Sequence, residues 1–299
     1  MQLCRTLSEF QNVTRDVAFA AGFFDGVHLG HQRVIRSAQR CGEAWALTFA
    51  QHPSELLTPE TPQKLLTPLD VRLELLSATG LAGCLLLDFT PELAAMPPRG
   101  FVASLGANIR SFHCGETWRF GSRGEGTPAV LREMGFTVGT VPSALWRGEA
   151  VSSTRVRDAV RGGDLPLATR MLGRDYFIRE QIVAGRAIGR KLGVPTLNIS
   201  PRAEVLPPLG VYAVRLRFKG ELTWRDGMAN FGFRPTFSDT PETPVLEVHL
   251  FSAPGRETNG LVADVAFVTR LRGERAFESP EALVAQLHQD RLDAEKALE

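Results

Sequence analysis

An apolar run at residues 17–21 ends in Gly22-Phe23-Phe24-Asp25-Gly26-Val27-His28-Leu29-Gly30-His31 and passes into a helix-like stretch at 32–39. The run reads as a buried strand. In an open α/β sheet the turn after such a strand is where a nucleotide lies. His28 and His31 stand three positions apart, so a helical turn puts them on one side. Gly30 between them leaves room for close approach to the backbone. Protonated imidazoles beside a helix N-terminus would suit a phosphate gaining charge in a transition state. A histidine pair at this spacing is also common on surfaces and in packing; here the flanking glycines and Asp25 favour the phosphate reading. Zinc would want a third ligand and, in the common hydrolase motif, a glutamate between histidines at another spacing.

The chain has 299 residues, room for about two domains. A hydrophobic share of 43%, a charged share of 22% and a net charge of +1 describe an ordinary water-soluble protein and argue against nonspecific nucleic-acid binding. The cysteines at 4, 41, 84 and 114 form no Cys-x-x-Cys pair and read as free thiols in a reducing compartment. Neither a signal-peptide core nor a membrane-length apolar run is present, so the expected location is the cytoplasm.

Strand-like and helix-like segments alternate through the first half. Strands are expected at 43–49, 83–89, 112–114 and 137–141, and helices at 69–79, 98–105 and 128–134. This alternation predicts a parallel, doubly wound sheet. Val151-Ser152-Ser153-Thr154-Arg155-Val156-Arg157 carries a helix-start signal whose hydroxyls and arginines could hold a pyrophosphate leaving group; its plainer reading is an N-cap on a solvated basic helix.

After about Gly173 strand signals take over. Residues 211–218 and 245–251 alternate, and 261–268 reads as another strand, which together suggest a small antiparallel barrel. A closing helix begins with Ser279 as cap and Pro280 at its first position. Within this half, the glycine-spaced 185–193 is a plausible phosphate-hugging loop, or simply a turn. Thr196 and Asn198 point the same way if extended, and their oxygens can hold Mg²⁺. Glu247 lies opposite the apolar face of its strand, where a general base would need to be, although most single glutamates simply face solvent.

These segments resemble the bacterial bifunctional riboflavin kinase/FAD synthetase family over nearly the whole chain. The resemblance rests on the Gly22–His31 stretch, Thr48-Phe49 with His52-Pro53, Arg119-Phe120-Gly121 and 152–157 in the first half. In the second half it rests on 189–199, Gly210-Val211-Tyr212, 229–237, 246–251 and 271–277. It implies an adenylyltransferase domain at 1–173 with a Rossmann-like fold, and a riboflavin kinase barrel with a terminal helix at 174–299. It also implies Mg²⁺, with ATP as co-substrate and riboflavin, FMN and FAD as flavin partners.

By the same resemblance Glu247 is the kinase base, Thr196 and Asn198 hold the metal, and the loop with Gly185, Gly189, Arg190 and Gly193 covers ATP. Pro195, Arg272 and Arg275 join that nucleotide and flavin site. In the other half His28, His31 and Arg157 are catalytic, and Gly22, Phe24, Asp25, Gly30, Ser153 and Thr154 bind the nucleotide. No nucleic acid or membrane partner is expected, and the chain is expected as a monomer or weak oligomer. Departures stand at Ala50-Gln51 (usually Glu-Pro), Thr117 (usually Asp), Thr258-Asn259-Gly260 (usually Leu-Tyr-Gly) and Glu180 (usually Gly). They motivate a kinase-only alternative; a noncatalytic flavin or nucleotide sensor is the other.

Overall fold

A computed structural model describes residues 1–184, 194–233 and 244–299. The chain divides into two compact units, Met1–Ser153 and Thr154–Glu299.

The first unit is a six-stranded sheet. Its strands are β1 (Gln2–Cys4), β2 (Val17–Ala21), β3 (Glu43–Phe49), β4 (Gly83–Leu87), β5 (Ile109–Gly115) and β6 (Thr137–Val141), in the order β1-β4-β3-β2-β5-β6. Every pairing is parallel. The helices are α1 (Leu7–Gln11), α2 (Leu29–Gln39), α3 (Ser54–Leu57), α4 (Leu69–Ala78), α5 (Pro91–Ala95), α6 (Pro98–Leu105) and α7 (Pro128–Glu133). A short hairpin of β7 (Leu145–Trp146) and β8 (Glu149–Ala150) closes the unit.

The sheet is covered on both faces, and its two faces differ in size. Phe19, Trp45, Leu85 and Phe112 form one core with Phe10, Phe101 and Leu105. The alternate residues Ala18, Ala20, Ala44, Ala46 and Cys84 form the other with Val34, Ile35, Ala38 and Leu76. Small residues on the second face let α2 and α4 come close to the strands. On the large face Gly83 accommodates Trp45, whose ring atoms would stand 2.3 Å from any Cβ there. The chain winds from β2 through β3 to β4 on one side and reaches β5 and β6 on the other. The topological switch point therefore lies at β2, the strand that feeds the His28–His31 turn.

The second unit begins with α8 (Ser153–Arg161, whose first residue ends the first unit) and α9 (Leu165–Leu172), the latter ending on Gly173 in a left-handed cap. A closed barrel follows: β9 (Tyr176–Val183), β10 (Leu197–Ile199), β11 (Gly210–Phe218), β12 (Arg225–Phe233), β13 (Pro244–Leu250) and β14 (Val262–Arg272), in the order β10-β13-β12-β11-β14-β9. All pairings are antiparallel. Val214, Leu216, Leu246, Val248 and Phe267 are buried, as the period-two pattern requires. Helix α10 (Pro280–Leu298) starts under Ser279, whose hydroxyl accepts from Ala282 N at 3.1 Å, and packs Ala294 and Leu298 against Ala213 and Met228. Strands β9 and β12 and helix α9 carried no signal strong enough to expect them: β12 is interrupted by Gly227 and Gly232, and β9 alternates only in part.

Candidate active sites

The turn after β2 is strained, and side chains from several elements hold it. Phe24 (φ 63°) and Val27 (φ 42°) are left-handed without being glycine, a conformation costing on the order of 1 kcal/mol or more each. Asp25 is buried, and its carboxylate accepts from Leu66 N and Thr67 N at 3.0–3.1 Å. The Thr48 hydroxyl and the Arg72 guanidinium both donate to Phe23 O, at 3.0 and 3.2 Å. The Ser153 hydroxyl, at the start of α8, donates to Asp25 O at 3.0 Å. Asp25 and Ser153 thus build the turn itself.

His28 caps α2: its Nδ1 accepts from Gly30 N at 3.1 Å and His31 N at 3.3 Å. A nitrogen that accepts carries no proton, so the ring's hydrogen is on Nε2. The His28 and His31 rings stack with centroids 3.6 Å apart, and Phe24 meets His31 edge-on at 5.2 Å. Burial, then His28, then Arg72 push His31 well below the ordinary imidazole range. The pair is therefore neutral, which differs from the expectation of protonated imidazoles: two stacked cations in a buried site would repel each other. The space at Gly30 is filled by the His28 ring, whose Cε1 would lie 3.0 Å from a Cβ, so that glycine serves the cap directly. Likewise a Cβ on Gly22 would meet the Phe24 ring at 3.3 Å. Thr154 and Arg157 lie on α8, where Arg157 is buried and its guanidinium stands 3.5 Å from the Thr154 hydroxyl.

In the barrel, register makes the site. Glu247 on β13 is the direct partner of Asn198 on β10 and of Asn230 on β12. Side chains of such partners rise together, with Cβ atoms about 5 Å apart. Thr196 stands two residues before Asn198. His249, two residues after Glu247, donates from Nδ1 to Pro195 O at 2.9 Å and so pins the segment carrying Thr196. Beside Asn230, the Glu274 carboxylate sits in the notch at Gly232, where a Cβ would lie 1.8 Å from Oε1. Asn230, His249 and Glu274 escape a reading of single motifs, because strand pairing brings Asn230 and His249 to this site and a notch at Gly232 receives Glu274.

Arg272 is held by the buried Asp290 of α10 in a two-pronged pair at 2.8 and 2.6 Å, which ties the end of β14 to that helix. Arg275 lies over the Phe277 ring at 4.9 Å. Gly185, Gly189, Arg190 and Gly193 lie outside the described residues. Glu180 serves the backbone of its own unit. Its carboxylate accepts from Arg202 N at 2.6 Å and Ala203 N at 2.8 Å, and burial raises its pKa.

Family models for FAD synthetase match residues 10–155 and for riboflavin kinase residues 172–298. The bifunctional riboflavin kinase/FMN adenylyltransferase of Bacillus subtilis is 33% identical over 92% of this chain and 90% of its own. The chain belongs to the bifunctional riboflavin kinase/FMN adenylyltransferase family. The Escherichia coli member is 31% identical over 98% of this chain and 97% of its own. A solved structure from Streptococcus pneumoniae, described as a macrolide-efflux protein, superposes with a TM-score of 0.84 at 26% identity, covering 96% of both chains. Among the described residues of this flavin-synthesising family member, no helix is long and apolar enough to cross a membrane. Both halves therefore use ATP on a flavin, as the motifs implied.

Proposed function

We propose that the two activities divide at the end of α9, with FMN adenylylation in residues 1–173 and riboflavin phosphorylation in 174–299. The observation that carries the division is that each unit holds its own polar cluster: a neutral histidine pair at the sheet's switch point, and an Asn198–Glu247–Asn230 row on the barrel.

In the kinase step Glu247 takes the proton of riboflavin's terminal ribityl hydroxyl as that oxygen bonds to the γ-phosphorus of ATP and ADP departs. Thr196 and Asn198 offer neutral hard oxygens beside the carboxylate, a donor set that fits Mg²⁺. When bound, that ion neutralises charge on the ATP phosphates. In the second step an FMN phosphate oxygen bonds to the α-phosphorus of a second ATP, and pyrophosphate leaves with the electron pair of the broken bond. His28 Nε2–H and the His31 ring face the developing charge as neutral donors, needing no proton from solvent.

Chromatography of a reaction containing riboflavin, ATP and Mg²⁺ should show FMN and then FAD. FMN supplied directly should give FAD without the kinase step. A folded protein producing neither flavin would defeat the reading.

A further inference from the structure

Arg72, on α4, is fully buried yet hydrogen-bonds to carbonyl oxygens: Phe23 O at 3.2 Å, and Phe49 O and Ala50 O at 2.7 Å. Its guanidinium carbon stands 4.0 Å from the Phe23 ring centroid, and that ring meets His52 edge-on at 4.6 Å. The guanidinium thus bridges the ends of β2 and β3 at the topological switch point, beneath the turn that carries the histidines. Among the described residues its buried Nε has no hydrogen-bond partner. The charged or titratable groups facing it are Asp25, Glu55, the Cys84 thiol and His31. The carboxylate of Asp25 is engaged by Leu66 and Thr67, and that of Glu55 by His52 N at 3.1 Å. Burial lowers Arg72 to about 10, which leaves it charged at neutral pH.

We propose that Arg72 is a positioning residue for FMN adenylylation: a permanent buried cation that clamps the turn under His28 and His31 and supplies the positive field the neutral imidazoles do not. The inference rests on the assignment of His28 and His31 to the adenylyl site. A buried charge held by carbonyl dipoles acts through a low dielectric; the Asp25 and Glu55 carboxylates offset part of its field, and each is itself held by backbone amides. That field favours an anionic flavin phosphate and a triphosphate, and it disfavours a proton on His31. The groups facing His31 are His28 and Arg72, so removing the guanidinium leaves only His28 and burial to oppose protonation.

The test pairs Arg72→Met, which removes charge and clamp, with Arg72→Lys, which keeps charge but cannot bridge three carbonyls. NMR titration of His31 and the pH profile of FAD formation from FMN are read on each. In Arg72→Met the His31 titration and the acid limb of kcat/KM should move upward together. At neutral pH kcat/KM should fall on the order of tenfold. In Arg72→Lys both should stay near the parent's. Kinase activity on riboflavin reports folding of the barrel, and near-ultraviolet circular dichroism that of the whole chain. A His31 titration unchanged by Arg72→Met, or shifted equally by Arg72→Lys, would overturn the inference. If the Met variant does not fold, Arg72→Gln takes its place as a second neutral variant: a His31 titration moved upward supports the proposal, and one left at the parent's position overturns it. Failure of the site assignment looks different, since His31→Ala would then still make FAD.

Discussion

The two units build the clusters proposed to handle phosphate from opposite kinds of sequence neighbourhood. In the α/β unit the decisive groups are consecutive: His28 accepts from the amides of Gly30 and His31, and the two rings stack within a single helical turn. In the barrel Asn198, Asn230 and Glu247 are far apart in the chain and become neighbours only because β10, β13 and β12 pair in that register. A local site tolerates change elsewhere but depends on its own strained turn. A register-made site depends on every strand between its members, because a one-residue slip would turn Glu247 into the barrel's apolar face.

The sharpest way to break this contrast is Glu247→Gln. It should lower riboflavin phosphorylation by about 10²–10⁴-fold while FMN supplied directly still becomes FAD, both followed by chromatography. Near-normal kinase rates would remove Glu247 as the base. Next, His31→Ala should lower FAD formation by about 10²–10³-fold, roughly 3 kcal/mol, and leave FMN formation nearly unchanged. Loss of both steps in a folded variant would mean the sites are not separate.

Smaller effects test the scaffolds. Gly83→Ala drives a Cβ into the buried Trp45 ring and should cost about 1–3 kcal/mol, lowering the α/β unit's Tm by about 5 °C in calorimetry while riboflavin phosphorylation persists at low temperature. The smallest effect should be a pH dependence of stability from the same unit's buried histidines. Burial lowers both His31 and His113. The unfolded chain therefore binds protons that the folded one refuses, and stability present above the ordinary histidine range is lost as pH falls through it toward the folded values. Thermal unfolding between pH 7.5 and 5 should show the decline, and His31→Ala should weaken it.

Much of the fold is legible in the residues alone, for physical reasons that particular positions show. Val17–Ala21 is apolar throughout because its parallel strand is covered on both faces, and its five-residue length before a glycine favours a strand over a helix. Ser279 and Pro280 mark the start of the last helix, and Leu246 and Val248 mark their face of β13. Other features have no linear signature. Glu180 departs from the family's glycine, and only the fold shows it holding the backbone at Arg202 and Ala203. Nothing near Arg272 in the chain signals its pair with Asp290 on the last helix.

The order of residues alone therefore determined the alternation of strands and helices, the turn with its histidine pair, and the family, since each depends on side chains within a few positions of one another. Tertiary structure decided the protonation of that pair, the burial of Arg72 beneath it, and the row that brings Asn198 and Asn230 to Glu247. Those depend on dielectric surroundings and strand register, and both come from residues distant in the chain.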